Sequence, residues 1–169
     1  MVERVSVLAG LAPVPGVAAS PPAARISLRS SDASALGVAG GGAINTAVVT
    51  GATAALHLGP DEWLVIAPEG QEMALMAGAA GRFASTVDVS HRSVGLEVAG
   101  PHALDMLSAF VALDLAEAAF PVGMATRTVF GKAEIILWRT GAAAFRIEVW
   151  RSFAPYVWQC LGEAGREFG

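Results

Sequence analysis

The sequence predicts an α+β domain made of two duplicated strand–strand–helix halves with antiparallel sheets. Three observations predict it. Apolar residues alternate with small or polar ones over short runs, as Val94, Leu96 and Val98 do with Gly95, Glu97 and Ala99, which is the period of a half-buried strand. Each half reads strand–turn–strand–helix, with turn signals at Gly59-Pro60-Asp61-Glu62 and Thr140-Gly141. Each half then passes into a helical run, and both runs close on similar text, Ala80-Gly81-Arg82-Phe83 and Ala164-Gly165-Arg166-Glu167-Phe168. The halves share order and pattern rather than residue identity.

In chain order, residues 1–22 read as a flexible N-terminal arm, rich in Pro, Gly and Ala and without periodicity. Its apolar start does not read as a signal peptide. The run is short, Glu3 sits where basic residues belong, and Pro13 and Pro15 follow closely. Residues 23–169 then form one domain. Arg25 to Arg29 alternates as a strand, and Gly37 to Gly42 is a glycine-rich loop. Ala47 to Thr50 and Ala54 to Leu58 read as strands. Gly59-Pro60-Asp61-Glu62 is a turn, and Trp63 to Ala67 is a buried strand. Met73, Leu75, Met76 and Ala80 predict a helix ending near Gly81. Thr86 to Val89 opens the second half, followed by the strand around Leu96. Gly100-Pro101 breaks that strand and starts a helix bearing Leu104, Leu107 and Val111, with Pro101 in its first turn. Glu134 to Trp138 and Phe145 to Val149 are strands about the turn Thr140-Gly141. Ser152 is the expected N-cap of a last helix along Tyr156, Cys160 and Glu163.

Composition narrows the function classes. A chain of 169 residues suits one domain. Charged residues make up 15%, against about a quarter in ordinary soluble chains. Two readings follow, a thick apolar core or a surface covered by another protein. The net charge of −4 lacks the basic face that a nucleic-acid partner requires. No apolar run reaches the length of a membrane-spanning helix. Cys160 is the only cysteine, so an intrachain disulfide is impossible.

The residues that suggest chemistry are better read as structural. Asp88, Ser90 and His91 evoke a hydrolase, but neighbouring side chains of an extended segment point to opposite faces, and no Gly-x-Ser-x-Gly elbow occurs. Asp88 and Ser90 instead suit backbone donors at a strand end, with His91 and Arg92 holding a turn or facing a partner. The Gly37–Gly42 run lacks the Gly-Lys-Ser/Thr of a phosphate loop. His57, His91 and His102 have no metal-ligand spacing with one another or with Cys160, so no metal is expected. Adjacent Asp61 and Glu62, in a Gly-Pro turn, read as a solvated pair rather than a catalytic one. Of the four tryptophans, Trp63 and Trp138 are expected in the core. Trp150 and Trp158, with Phe153 and Tyr156, are residue types that interfaces favour.

A set of blocks in order gives more than any one of them. They are Leu58-Gly59-Pro60-Asp61-Glu62-Trp63-Leu64, Asp88-Val89-Ser90-His91-Arg92-Ser93 and Ala99-Gly100-Pro101-His102-Ala103. Leu113-Asp114-Leu115 then leads to Ala119-Phe120-Pro121 and Leu137-Trp138-Arg139-Thr140-Gly141, with Phe145-Arg146-Ile147 and Arg151-Ser152-Phe153-Ala154 last. From about Ala54 onward the chain resembles the folate-binding aminomethyltransferase superfamily, and within it the gamma-subunit family of heterotetrameric sarcosine oxidase. The resemblance implies a fold like the first domain of glycine-cleavage aminomethyltransferase, with strands exchanged between halves. It implies a non-catalytic subunit seated directly against the alpha subunit of an alpha-beta-gamma-delta complex that oxidises sarcosine to glycine. FAD, FMN, NAD and tetrahydrofolate would be held by the other subunits and none by this chain. The expected location is cytoplasmic. The transferases carry an acidic pair before the strand that here contains Ile135-Ile136-Leu137, and this chain reads Ala133-Glu134 there. The Lys-Gly-Cys-x-Gly-Gln motif of the iron–sulfur-maintenance relatives is missing. The resemblance thus implies the fold without the reaction, with Asp88, Ser90, His91, Arg92, Arg151 and Phe153 as interface candidates and no catalytic, cofactor or metal residue. The rival readings are a stand-alone folate-binding one-carbon transfer protein and the folate-binding module of a tRNA-modifying GTPase relative.

Overall fold

The computed structural model describes residues 6–168. Among the described residues, ten strands form two five-stranded antiparallel sheets. The first sheet holds β2 (Ala23–Arg29), β3 (Thr46–Thr50), β4 (Thr53–Gly59), β5 (Glu62–Pro68) and β6 (Ser85–Asp88), in the order β3-β4-β5-β2-β6. The second holds β1 (Val17–Ala19), β7 (Ser93–Ala99), β8 (Ala125–Phe130), β9 (Ala133–Gly141) and β10 (Ala144–Trp150), in the order β1-β7-β10-β9-β8. Read from opposite ends the two orders correspond strand for strand: β3 with β8, β4 with β9, β5 with β10, β2 with β7. The duplication expected from the sequence is therefore present in the topology. It is closed by an exchange, because β1, at the start of the chain, fills in the second sheet the place that β6 fills in the first.

Strand alternation sorts the side chains into three cores. Ala24, Ile26 and Leu28 of β2 and Trp63, Val65 and Ala67 of β5 face a helical layer made of a 3-10 turn, Ala33–Leu36, and helix α1, Glu72–Gly78. Leu96 and Val98 of β7, Ile135 and Leu137 of β9, and Phe145, Ile147 and Val149 of β10 face helices α2 (Ala103–Ser108) and α3 (Ala154–Gly165). The remaining faces of the two sheets meet each other through Leu56, Leu64, Ile66 and Ala125, with Ile136 and Trp138 packed alongside. A period-2 strand in the middle of such a stack is buried on both faces. At one end the sheets also join by hydrogen bonds. Ala47 N–H donates to Gly123 O at 2.8 Å and Ala125 N–H to Asn45 O at 3.0 Å. Asn45 and Gly123 both adopt positive φ, 66° and 90°, where each chain turns into its edge strand.

Several expectations need correction. The segment 86–89 does not open the second half, because β6 pairs with β2 in the first sheet through Ile26↔Asp88 to Arg29↔Ser85. Strand β8 was not foreseen; its alternation of Ala125, Arg127 and Val129 with Thr126 and Thr128 is masked by polar residues on both faces. Pro101 precedes α2 rather than sitting in its first turn. Gly100, at φ 117°, makes a turn whose carbonyl accepts Ala103 N–H at 3.1 Å, and the helix starts only there. Ser152 is not the N-cap of α3. Phe153 is, without a side-chain bond, and Pro155 brings no N–H that a cap would have to satisfy. Helix α1 ends at Gly78, before Ala80, and buries only Leu75, while Met73 is 85% exposed.

The arm expected to be mobile, as far as it is described, lies on the domain; residues 1–5 fall outside the described residues. Leu8 and Val14 are buried in the core around α2 and α3, and Trp158 Nε1 donates to Ala12 O at 2.9 Å. Val17–Ala19 pair with Leu96–Val98. Apolar burial and a free edge on β7 together hold a segment that has no periodicity of its own.

Candidate functional site: the seam between the sheets and its outer corner

The seam is apolar except at its centre. Arg25 of β2 and Glu148 of β10 are 3% and 4% exposed. Arg25 Nε donates to Glu148 Oε2 at 2.5 Å and Nη2 to Oε1 at 3.3 Å, a fork matching the carboxylate, while Nη1 reaches Ala23 O at 3.1 Å. Arg146, two residues along β10 on the same face, donates from Nε to Glu148 Oε1 at 2.8 Å. Its Nη2 stands 2.7 Å from that oxygen yet lacks a hydrogen-bonding angle, so the charge contact is made and that N–H is left over. One carboxylate thus serves two guanidinium groups. Gly95 makes the room: a Cβ there would stand 2.9 Å from Arg146 Nη2 and 3.0 Å from Arg25 Nη2.

The Asp88–Arg92 segment ties into this centre through the backbone. Asp88 Oδ1 accepts from Ser90 N–H at 2.9 Å and from Ser90 Oγ at 2.6 Å, and Ser90 Oγ accepts from Arg25 N–H at 2.8 Å. Bonding to Ser90 holds the Asp88 carboxyl below its ordinary range, and nearby His91 acts in the same direction. Asp88 is exposed, and the donors it satisfies sit at the crossing from one sheet to the other. His91 and Ser90 do not form a nucleophile–base pair, since the Ser90 hydroxyl proton goes to Asp88.

The other interface candidates gather at one corner. Arg151 N–H donates to Arg92 O at 2.7 Å and Phe153 N–H to Trp150 O at 2.8 Å, so the β6–β7 turn and the β10–α3 turn lie together. The Arg92 guanidinium stands 5.4 Å over the Trp150 ring. Trp150 and Phe153 are 45% and 39% exposed. Beside them a cleft of about 330 Å³ opens into the seam, lined by Arg29, Glu62, Arg127, Glu134, Glu148 and Trp150 among others. Glu62 is not merely solvated as expected. Arg127 grips it from Nη2 at 2.5 Å and Nη1 at 3.2 Å, which holds the carboxyl below its usual range and raises the guanidinium. Asp61 keeps a surface pair with Arg29 at 2.9 Å. A second cleft of about 300 Å³ touches Ser90, His91 and Arg151.

Arg25, Glu148, Arg146 and Gly95 were missed by reading the sequence, because alternating polar positions look solvent-facing until a second sheet covers them. Trp63 is buried and stacks on His57 at 3.9 Å, as expected of a core residue, whereas Trp138 is only partly buried, between the sheets. Cys160 is partly buried against the core of the second half. Among the described residues no group of three His, Cys, Asp or Glu side chains could hold a metal ion, and no helix is long and apolar enough to cross a membrane. The Gly37–Gly42 run leads towards strand β3 rather than to a helix N-terminus, so it does not fit a dinucleotide phosphate cradle.

A model of the sarcosine oxidase gamma subunit family matches residues 18–167. The chain is 38% identical over 118 residues to the sarcosine oxidase subunit gamma of Corynebacterium sp. (strain P-1), covering 69% of this chain and 58% of that relative. The match thus spans little more than half the length of the curated relative. Among solved structures, a chain of the heterotetrameric sarcosine oxidase from Corynebacterium sp. U-96, in complex with pyrrole 2-carboxylate, is similar at a TM-score of 0.87 and 28% identity, covering 98% of this chain and 96% of that one. The glycine cleavage system aminomethyltransferase T from Bartonella henselae shares the fold, at a TM-score of 0.63 and 15% identity, over 89% of this chain and 48% of that one.

Proposed function

The chain belongs to the sarcosine oxidase gamma subunit family, and from that premise we propose that it is a non-catalytic subunit that stabilises the complex oxidising sarcosine to glycine. In this reading it sits directly against the alpha subunit in a cytoplasmic alpha-beta-gamma-delta assembly. FAD, FMN, NAD and tetrahydrofolate belong to the other subunits.

The observation that carries the proposal is the fate of the transferase acid pair. Ala133 is fully buried in the core behind the second sheet, and Glu134 is exposed with Arg127 Nε 3.7 Å away. Assisting one-carbon transfer from that position requires a carboxylate aimed at substrate. Here one acid is replaced by a packed methyl group and the other is drawn to an arginine. The buried polar centre supports the same conclusion. Arg25 and Arg146 both donate to Glu148, and Ser90 Oγ accepts from the Arg25 backbone N–H, an arrangement that holds two sheets in register.

The test is reconstitution. The other three subunits produced without this chain should give little assembled oxidase, and adding it should restore assembly. The chain alone should yield no product from sarcosine, or from a one-carbon donor with tetrahydrofolate. Folate-dependent turnover by the isolated chain, lost in Glu134→Ala, would establish the stand-alone transfer protein instead.

A further inference from the structure

We propose that the Arg92–Trp150–Phe153 corner is the surface through which this chain docks on its larger partner subunit, and that the partner presents a carboxylate to Arg92 within an otherwise apolar contact. The proposal rests on the subunit reading above and adds where the contact lies and what it is made of.

The charges around the corner select the occupant. Glu148 is satisfied by Arg25 and Arg146, and Glu62 by Arg127, with Arg29 also near. Glu134 faces Arg127. Each of these acids already has a cationic partner on this chain, Glu134 at the exposed edge of the seam. Arg92 differs: among the described residues its side chain has the Trp150 ring as partner and no carboxylate. It is exposed, and stacking on the indole restricts its guanidinium. A planar cation held in place at low entropy cost is suited to a carboxylate arriving from outside.

The apolar part of the contact is adjacent. Trp150 ends strand β10 on the seam face, so half of its indole extends past the covering sheet. Phe153 follows within the same turn. Trp and Arg are the residues that most often dominate association energies, in contacts that close around them and exclude water. The neighbouring cleft can accept a side chain from a docking loop. Arg92 lines this cleft as well, and the other charged side chains in it are paired within the chain, so an apolar or singly acidic side chain fits it better than a basic one.

The experiment measures binding of this chain to the complex of the remaining subunits, using immobilised wild type, Arg92→Glu, Trp150→Ala and Phe153→Ala, each checked for an unchanged melting temperature. Arg92→Glu and Trp150→Ala should each weaken binding by about thirty-fold or more. Salt should weaken wild type more steeply than Arg92→Gln. If wild type binds and Arg92→Glu and Trp150→Ala, folded normally, bind within about threefold of it, less than a hot-spot residue gives, the docking surface is elsewhere and this inference is overturned while the subunit reading stands. If wild type itself does not bind, the subunit reading fails and the docking surface falls with it. A variant whose melting temperature drops is replaced by Trp150→Gln or Arg92→Gln and judged on the same criterion.

Discussion

Arg25 and Glu148 are 123 positions apart in the chain and face each other across the sheet seam with Nε 2.5 Å from Oε2. Removing Glu148 leaves the buried Arg25 charge without compensation, which costs about 3–5 kcal/mol, whereas removing Arg25 leaves Glu148 still paired with Arg146. Glu148→Ala should be the worse change, because it strands Arg146 as well as Arg25. Replacing both partners by Met should cost less than the sum of the single variants. Urea unfolding curves of the four proteins give the answer, and additive losses would mean that the pair does not act as a unit.

Gly95 is bound to the same centre. An added methyl would meet Ser20 Oγ at 2.8 Å as well as both arginines. The Ser20 hydroxyl can turn away, but the guanidinium groups are pinned by Glu148. Gly95→Ala should therefore destabilise by about 1–3 kcal/mol, the range for overfilling a packed site. In the Glu148→Ala background the arginines are released, so the same substitution should cost less. A double-mutant cycle in urea measures this.

Much of the fold was legible because apolar periodicity reports burial. The alternation at Val94–Val98 and Phe145–Val149, and the run at Trp63–Ala67, marked strands β7, β10 and β5. Signals failed where the cause was tertiary. Strand β8 carries Thr126 and Thr128 on one face and Arg127 on the other because it is an edge strand, and β6 was assigned to the wrong half because its partner β2 lies some sixty residues upstream. For the candidate site, the turns at Asp88–Arg92 and Arg151–Phe153 were singled out by family resemblance, and the structure brings them to one corner. The polar centre beneath was invisible, since Arg25 follows the alternation of a surface strand. The only hint was Gly95 in the middle of a strand, which often marks a close approach.

Acid should weaken the domain through Glu62 and Asp88. The carboxyl of Glu62 is depressed by its bond from Arg127, and that of Asp88 by its bonds from Ser90. A depressed folded value means stability that is fully present above the unfolded pKa, about 4, and is lost as pH falls through the folded value. Both groups are partly or largely open to solvent, so each contributes at most about 1 kcal/mol. Glu62→Gln and Asp88→Asn should lower the urea midpoint at pH 7, and the gap from wild type should close towards pH 2. A gap that persists at pH 2 would assign the loss to packing rather than charge.

The N-terminal strap should be ordered from about Val14 onward in the free chain. Ala99 N–H donates to Gly16 O at 2.8 Å and Ser20 N–H to Gly95 O at 2.8 Å, on either side of the β1–β7 pairing. The amides of Ala99 and Ser20 should therefore exchange slowly, and Leu8 and Val14 anchor the segment ahead of them. The weak point is Gly16, at φ 75°, where a Cβ would stand 2.7 Å from the carbonyl oxygen of Ala99. That atom is backbone and cannot swing aside. Gly16→Val must consequently lift the chain from β7, and protection at Ala99 and Ser20 should fall together by about a hundredfold, the loss of roughly 3 kcal/mol of local opening free energy. Amides of Val65 and Ile66 in the other sheet should be unaffected. Fast exchange at Ala99 in the unmodified chain would mean that the strap is loose on its own and is ordered only by a partner.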